Sequence, residues 1–239
     1  MPSAAHTPHY CSAMLSRYLH AIHTEDPGLE EPAATRERLK EGFPRGATRR
    51  MTQPGLLIAA ALAGLAPGED DTLVYASCYA ESRALESYLD SFPSPSPTLF
   101  QTSIHPGAVQ QAFIGRQQPV RHFFPHTGRV QLVAHAVQTA LLAPTPRTIL
   151  CGGEERGTWL REQRAASDRT FVFALLLTPE PAGALGMISL TPSAATAPER
   201  FLLPAFFDAL HARQAIDVAV APGLRLTLTW QAVDQRCQP

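Results

Sequence analysis

The strongest hydrophobic block runs from Leu56 to Leu65, where almost every position is apolar or small. Thr52 stands at an N-cap position, Pro54 lies in the first turn, and Pro67 and Gly68 close the block, so the pattern predicts a buried helix. A short apolar run from Thr72 to Ala76, between Asp71 and Ser77, predicts a core strand. A second helix is expected from about Glu81 to Leu89. Pro93, Pro95 and Pro97 make a stiff connection. Ser103 to Gly107 then leads into a helix over Gly107 to Ile114 that Gly115 is placed to end. Val120 to Phe124 reads as a strand, and Val130 to Leu142 as a helix with little polar face. Arg147 to Cys151 is the next strand. Val172 to Leu177 and Leu185 to Leu190 read as two strands joined by the turn Pro179 to Gly183. Phe201 to His211 is the last helix, before a strand from Leu224 to Trp230.

Upstream, Tyr10, Met14, Tyr18 and Leu19 recur near helical spacing, so residues 10 to 24 are expected to form a short amphipathic helical segment. The Pro- and Gly-containing stretch from there to Arg50 reads as surface connection around one helical turn at Thr35 to Lys40. Strands alternating with helices imply an α/β layered fold.

Composition narrows the function classes. With 45% hydrophobic and 17% charged residues, a chain of 239 residues can bury roughly 70% of its unfolded surface. One domain over residues 49–239 is expected, with residues 1–48 as an N-terminal extension packed on it. Twenty Lys and Arg oppose twenty-one Asp and Glu, so there is no basic field to hold a nucleic acid or an anionic membrane. Cys11, Cys78, Cys151 and Cys237 are far apart and lack the spacing of a zinc site, so they read as reduced thiols, and no metal or cofactor is expected. Neither a signal peptide nor an apolar run of about 18 residues is visible, which gives a cytoplasmic expectation.

Four segments, in order, resemble the N-terminal half of β-ketoacyl-ACP synthases, the thiolase-fold condensing enzymes. Arg49 to Leu62 (RRMTQPGLLIAAAL) looks like the family's helix entry, and Thr72 to Ser77 (TLVYAS) like the strand after it. Pro97 to Gly107 (PTLFQTSIHPG) sits where these proteins carry an SPT-F-S-S-HN segment. Thr148 to Glu154 (TILCGGE) is similar to the strand and GGxE turn after the nucleophile helix. The match spans about residues 49 to 178 and is most similar to the short chain-length-factor type of protein found with aryl polyene and xanthomonadin-like pathways. The resemblance implies a single thiolase-like half-fold, a mixed sheet layered with helices, without the second half that supplies the catalytic histidines. It also implies a full-length ketosynthase as heterodimer partner and an acyl carrier protein as a further one.

Condensing enzymes need a thiolate at a helix N-terminus. By that resemblance the nucleophile position falls near Thr127, within Pro125 to Arg129, where no cysteine occurs. A threonine nucleophile needs an adjacent, oriented base, and the sequence neighbour His126 seldom supplies one, so a helix start is the plainer reading of Thr127. Cys151, at the end of an apolar strand, reads as a structural thiol. His105, before Pro106, is expected to bond local backbone or, with His126, to line a tunnel. His135 reads as a core or interface histidine. Glu154 and Glu155 are adjacent in sequence without converging on one atom, and Gly152-Gly153 lacks the context of a phosphate cradle.

The resemblance also assigns an interface. In thiolase-fold dimers the strand before the nucleophile pairs across the subunit boundary, which corresponds to Val120, Arg121, His122, Phe123 and Phe124. Phe123 and Phe124 face opposite sides of a strand, so one can enter the core while the other packs on a partner. Two alternatives stand beside the silent-subunit reading. One is a stand-alone acyl hydrolase or acyltransferase using Thr127 or a cysteine, and the other is a homodimeric carrier-protein-binding scaffold.

Overall fold

The computed structural model describes residues 14–44, 46–195 and 199–231; Cys11 and Cys237 lie outside them. The elements are β1 (Leu15–Glu25), α1 (Pro32–Leu39), α2 (Gln53–Ala63), β2 (Thr72–Ser77), α3 (Ser82–Asp90), α4 (Pro97–Ser103) and α5 (Gly107–Gly115). There follow β3 (His122–Thr127), α6 (Leu132–Leu142), β4 (Thr148–Glu154), α7 (Trp159–Glu162) and β5 (Phe171–Thr178). The last elements are β6 (Gly186–Pro192), α8 (Leu203–His211), β7 (Ile216–Ala221) and β8 (Leu224–Trp230). All eight strands make one mixed sheet in the order β3-β2-β4-β5-β1-β6-β8-β7. β2 pairs in parallel with both β3 and β4, and every other neighbouring pair is antiparallel.

Both faces of the sheet are covered, and the period of two in the central strands divides their side chains between two cores. Val74, Ala76, Leu150, Phe171, Phe173 and Leu175 face α6 and α8. Leu73, Tyr75, Ile149, Cys151, Val172 and Ala174 face α2 and α5. This explains why β2, β4 and β5 read as continuous apolar runs rather than alternating ones. Among the described residues, no helix is long and apolar enough to cross a membrane.

The buried helix α2 follows its sequence signals. Thr52 Oγ1 accepts the Gly55 amide at 3.2 Å as N-cap. The side chain of Gln111 from α5 accepts the Thr52 amide at 2.9 Å. A Cβ on Gly55 would lie 2.5 Å from that Gln111 oxygen, so the glycine lets α5 approach α2.

The first segment departs from expectation. Residues 15–25 form a strand, not a helical segment, and β1 lies inside the sheet between β5 and β6. A register shift between Leu19 and Ala21 changes which face the following residues occupy. Leu15, Leu19 and Ile22, spaced four and three apart, therefore all pack on the same core, and helical spacing is produced by a bulged strand. Residues 15–25, part of the stretch expected as an extension packed on the domain, thus contribute a strand to the sheet itself. Arg17, buried on β1, donates to the carbonyls of Leu141 (3.4 Å), Ala143 (2.7 Å) and Pro146 (3.2 Å), at the C-terminal end of α6.

Smaller corrections follow the same logic. The proline-rich connection contains α4, whose first turn uses Ser96 as cap and Pro97 at the start. β7 escaped notice, because Ile216–Ala221 carries a charge at its second position, Asp217. Helices α5, α7 and α8 each end with paired hydrogen bonds from the two residues after the cap, with Gln117, Arg164 and Arg213 in left-handed conformation (φ 52°, 58° and 52°).

Candidate functional site

The C-terminal ends of the parallel strands β2, β3 and β4 meet the helices that follow them, the region where open α/β sheets collect ligands. Four buried glutamates gather around this end: Glu81, Glu86, Glu154 and Glu155. Helices α3, α5 and α7 begin without any local side-chain cap. Their exposed amides are met instead by carboxylates from elsewhere in the fold. Glu155 accepts the Arg83 amide of α3 at 2.8 Å, and Glu81 accepts the Ala108 amide of α5. Glu86 accepts the amides of Thr158 (2.7 Å) and Leu160 (2.9 Å) and the Thr158 hydroxyl (2.8 Å). Glu154 receives the Ser77 hydroxyl (3.2 Å) and the amides of Cys78 and Tyr79.

Burial pushes the carboxyls of Glu81 and Glu154 up to about 7 and that of Glu155 up to about 8, against the amide bonds that favour their ionised forms. Glu154 and Glu155 are adjacent in sequence, yet they reach in different directions, to the turn after β2 and to α3. Gly152 and Gly153 are structural. A Cβ on Gly152 would meet the Ala76 carbonyl oxygen at 2.3 Å, and one on Gly153 the Phe171 carbonyl oxygen at 2.2 Å.

Thr127 ends β3 and is solvent-exposed, and the N-cap of α6 is Gln131, in left-handed conformation at φ 63°. The helix-start reading of Thr127 therefore gives way: Gly128 to Gln131 separate it from the helix. Its neighbour His126 extends the other way along the strand, with Nε2 buried and unpartnered, and its ring is held below the usual range by burial and by nearby His135. His135 itself is exposed, which corrects its core placement. His105 makes no hydrogen bond through either ring nitrogen and stacks on Tyr75, with centroids 5.2 Å apart. The free thiols of Cys78 and Cys151 are both pushed up, chiefly by burial, away from the thiolate a nucleophile needs. Among the described residues no group of His, Cys, Asp and Glu is arranged to hold a metal ion.

The residues assigned to an interface divide between β3 and the turn before it. Val120 and Arg121 precede the strand, and Arg121 is tied to Glu69 (2.7 Å) and Asp70 (3.3 Å). His122, Phe123 and Phe124 lie in β3, an edge strand whose only partner among the described residues is β2. Phe123 packs against the core facing α2 and α5, while Phe124 is 41% exposed. An apolar groove of about 550 Å³, lined by Phe113, Ile114, Pro119, Val120 and Phe123, runs beside this edge. The opposite edge, β7, is treated differently. The Glu199 amide bonds its Ala219 carbonyl at 2.8 Å, and Asp217 puts a charge on it.

Sequence reasoning missed Glu81 and Glu86, since the amides they satisfy are distant in the chain and their neighbours Ser82, Arg83 and Ser87 gave no sign of burial. It also missed the open groove, because the helix expected over Gly107 to Ile114 carried no signal of which of its apolar residues stay uncovered.

No protein-family model matches the chain, and no curated protein matches it in sequence. Solved structures do resemble it. A chain from the ketosynthase (ApeO) in complex with its chain length factor (ApeC) from Xenorhabdus doucetiae superposes with a TM-score of 0.64 at 18% identity, covering 90% of this chain and 99% of that one. A chain of the ishigamide ketosynthase/chain length factor superposes with a TM-score of 0.54 at 11% identity, covering 74% of this chain and 67% of that one. The eight-stranded mixed sheet and its two helical layers are thus those of a single thiolase-like half-fold, the fold seen in ketosynthase and chain-length-factor assemblies.

Proposed function

We propose that this chain is a ketosynthase-like subunit without catalytic machinery of its own. In this reading it is a chain length factor that pairs with a full-length β-ketoacyl-ACP synthase in the cytoplasm. The pair acts on acyl chains held by an acyl carrier protein, in polyene, polyketide or fatty-acid-type synthesis. The observation that carries the reading is the open edge of β3, with exposed Phe124 and an apolar groove beside it. Unpaired strand edges of this kind are normally blunted or covered, and a partner strand would satisfy their backbone groups. The likeness to structures that contain a ketosynthase with its chain length factor supports the same role.

A stand-alone hydrolase or transferase lacks support in the candidate nucleophiles. Among the described residues Thr127 has no hydrogen-bonded base, and burial pushes the thiols of Cys78 and Cys151 up, away from the thiolate. An acyl carrier protein as a further partner, and tunnel walls through His105 and His126, are part of the proposal.

Co-expression with a cysteine-bearing ketosynthase, size-exclusion chromatography and an elongation assay with carrier-bound malonyl units test the reading. A one-to-one complex whose elongation needs this chain and survives Thr127→Ala supports it, and Phe124→Asp should break the complex without unfolding the subunit. A self-paired dimer that ignores the ketosynthase, or loss of turnover in Thr127→Ala with the complex intact, would overturn it.

A further inference from the structure

A second cavity, of about 380 Å³, opens at the C-terminal ends of β2 and β4, away from the β3 groove. Tyr79 from the turn after β2, Arg129 from the loop between β3 and α6, and Arg161 and Arg164 from α7 and its closing turn converge on it. Among the described residues none of these three guanidinium groups has a hydrogen-bonded or ion-paired partner. On the neighbouring surface, by contrast, Arg83 is tied to Glu31, and Arg169 to Asp26 and Asp208. Arg129 lies over the Tyr79 ring, 5.5 Å from its centroid, which fixes one side of the cavity.

Two carboxylates also line the space. Glu154 is already engaged by Ser77, Cys78 and Tyr79, and Asp168 is exposed and, among the described residues, without an ion-pair partner. Even with both ionised, three guanidinium charges leave the lining net positive. Like charges drawn to one cavity repel unless an anion lies between them. The planar fork of arginine matches a tetrahedral oxyanion with two parallel hydrogen bonds, and it is the side chain best suited to phosphate. Leu202 and Pro204 also line the cavity and give it apolar surface for a non-polar substituent on the anion.

We propose that this cavity binds a small phosphate ester, its phosphoryl group held by Arg129, Arg161 and Arg164 and its organic part against Leu202 and Pro204. The site is separate from the β3 edge, so the inference stands whether or not the chain pairs with a ketosynthase.

Isothermal titration of the full chain with phenyl phosphate and with inorganic phosphate tests it, alongside Arg161→Gln, Arg129→Gln and the control Lys40→Gln. Lys40 is exposed and paired with Glu37, so its variant removes one positive charge elsewhere. Phenyl phosphate is expected to bind saturably and more tightly than inorganic phosphate, and each arginine variant to weaken it about tenfold or more, with Lys40→Gln unchanged. Urea midpoints equal to that of the wild type show that the variants remain folded. The proposal is overturned if phenyl phosphate does not saturate, if Lys40→Gln weakens binding as much as Arg161→Gln, or if a hexaglutamate peptide saturates where phenyl phosphate does not. The last outcome would assign the arginines to an acidic protein surface.

Discussion

Glu155 Oε2 accepts the Arg83 amide at 2.8 Å, joining the end of β4 to the first turn of α3 through a carboxylate that is 2% exposed. The bond favours the ionised form, burial opposes it more strongly, and nearby Glu81 adds to the opposition, so the group sits up at about 8. A carboxyl whose pKa is raised on folding binds its proton more tightly in the native state than in the unfolded chain. Its contribution to stability is therefore fully present below the unfolded value of about 4.3 and is lost as pH rises toward 8. Urea unfolding should show Glu155→Gln close to wild type at about pH 4 and increasingly more stable than it up to about pH 8, by at most about 1.4 kcal/mol per pH unit. A difference that stays constant with pH would show that Glu155 is ionised throughout.

Glu86 anchors the start of α7 from a distance of more than seventy residues in sequence. Glu86→Ala leaves the Thr158 and Leu160 amides without partners and should cost about 1–3 kcal/mol. Hydrogen exchange should accelerate most over Thr158 to Glu162. Uniform acceleration across the sheet would place the loss elsewhere.

Gly152 stands where the backbone of β2 and the ring of Phe173 leave no space for a Cβ. Gly152→Ala should destabilise by about 1–3 kcal/mol, through displaced neighbours rather than lost chemistry. Wild-type stability in this variant would show that β2 and β4 can separate at little cost.

Gln117 occupies the left-handed position that closes α5, where glycine is favoured. Gln117→Gly should stabilise by about 0.5–1 kcal/mol, since a side chain in this conformation costs energy that glycine avoids. Thermal unfolding reads the gain directly, and a lowered midpoint would mean that the Gln117 side chain contributes packing at the groove.

These relationships also show what could be read from residues alone. α2 was legible because Thr52, Pro54 and a run of apolar residues make local demands that agree with one another. β2, β4 and β5 were legible because burial on both faces produces continuous apolar runs. β1 was not, because its bulge turns helical spacing into a strand, and that depends on partners more than 140 residues away. Thr127 was placed by counting along a resemblance, whereas the loop Gly128 to Gln131 sets the true start of α6. The glutamate caps were invisible for a general reason: a carboxylate's sequence neighbours say nothing about which distant amide it satisfies.

β1 leaves the ribosome before any neighbour it will pair with. Its two flanking strands, β5 and β6, begin at Phe171 and Gly186, so most of the chain must be synthesised before Leu19 can be enclosed. The sheet is consequently closed by an early segment of the chain, and synthesis interrupted before residue 186 yields a product in which β1 has at most one of its two neighbours. Arrested nascent chains of increasing length should therefore acquire protease resistance in β1 only after β6 has emerged.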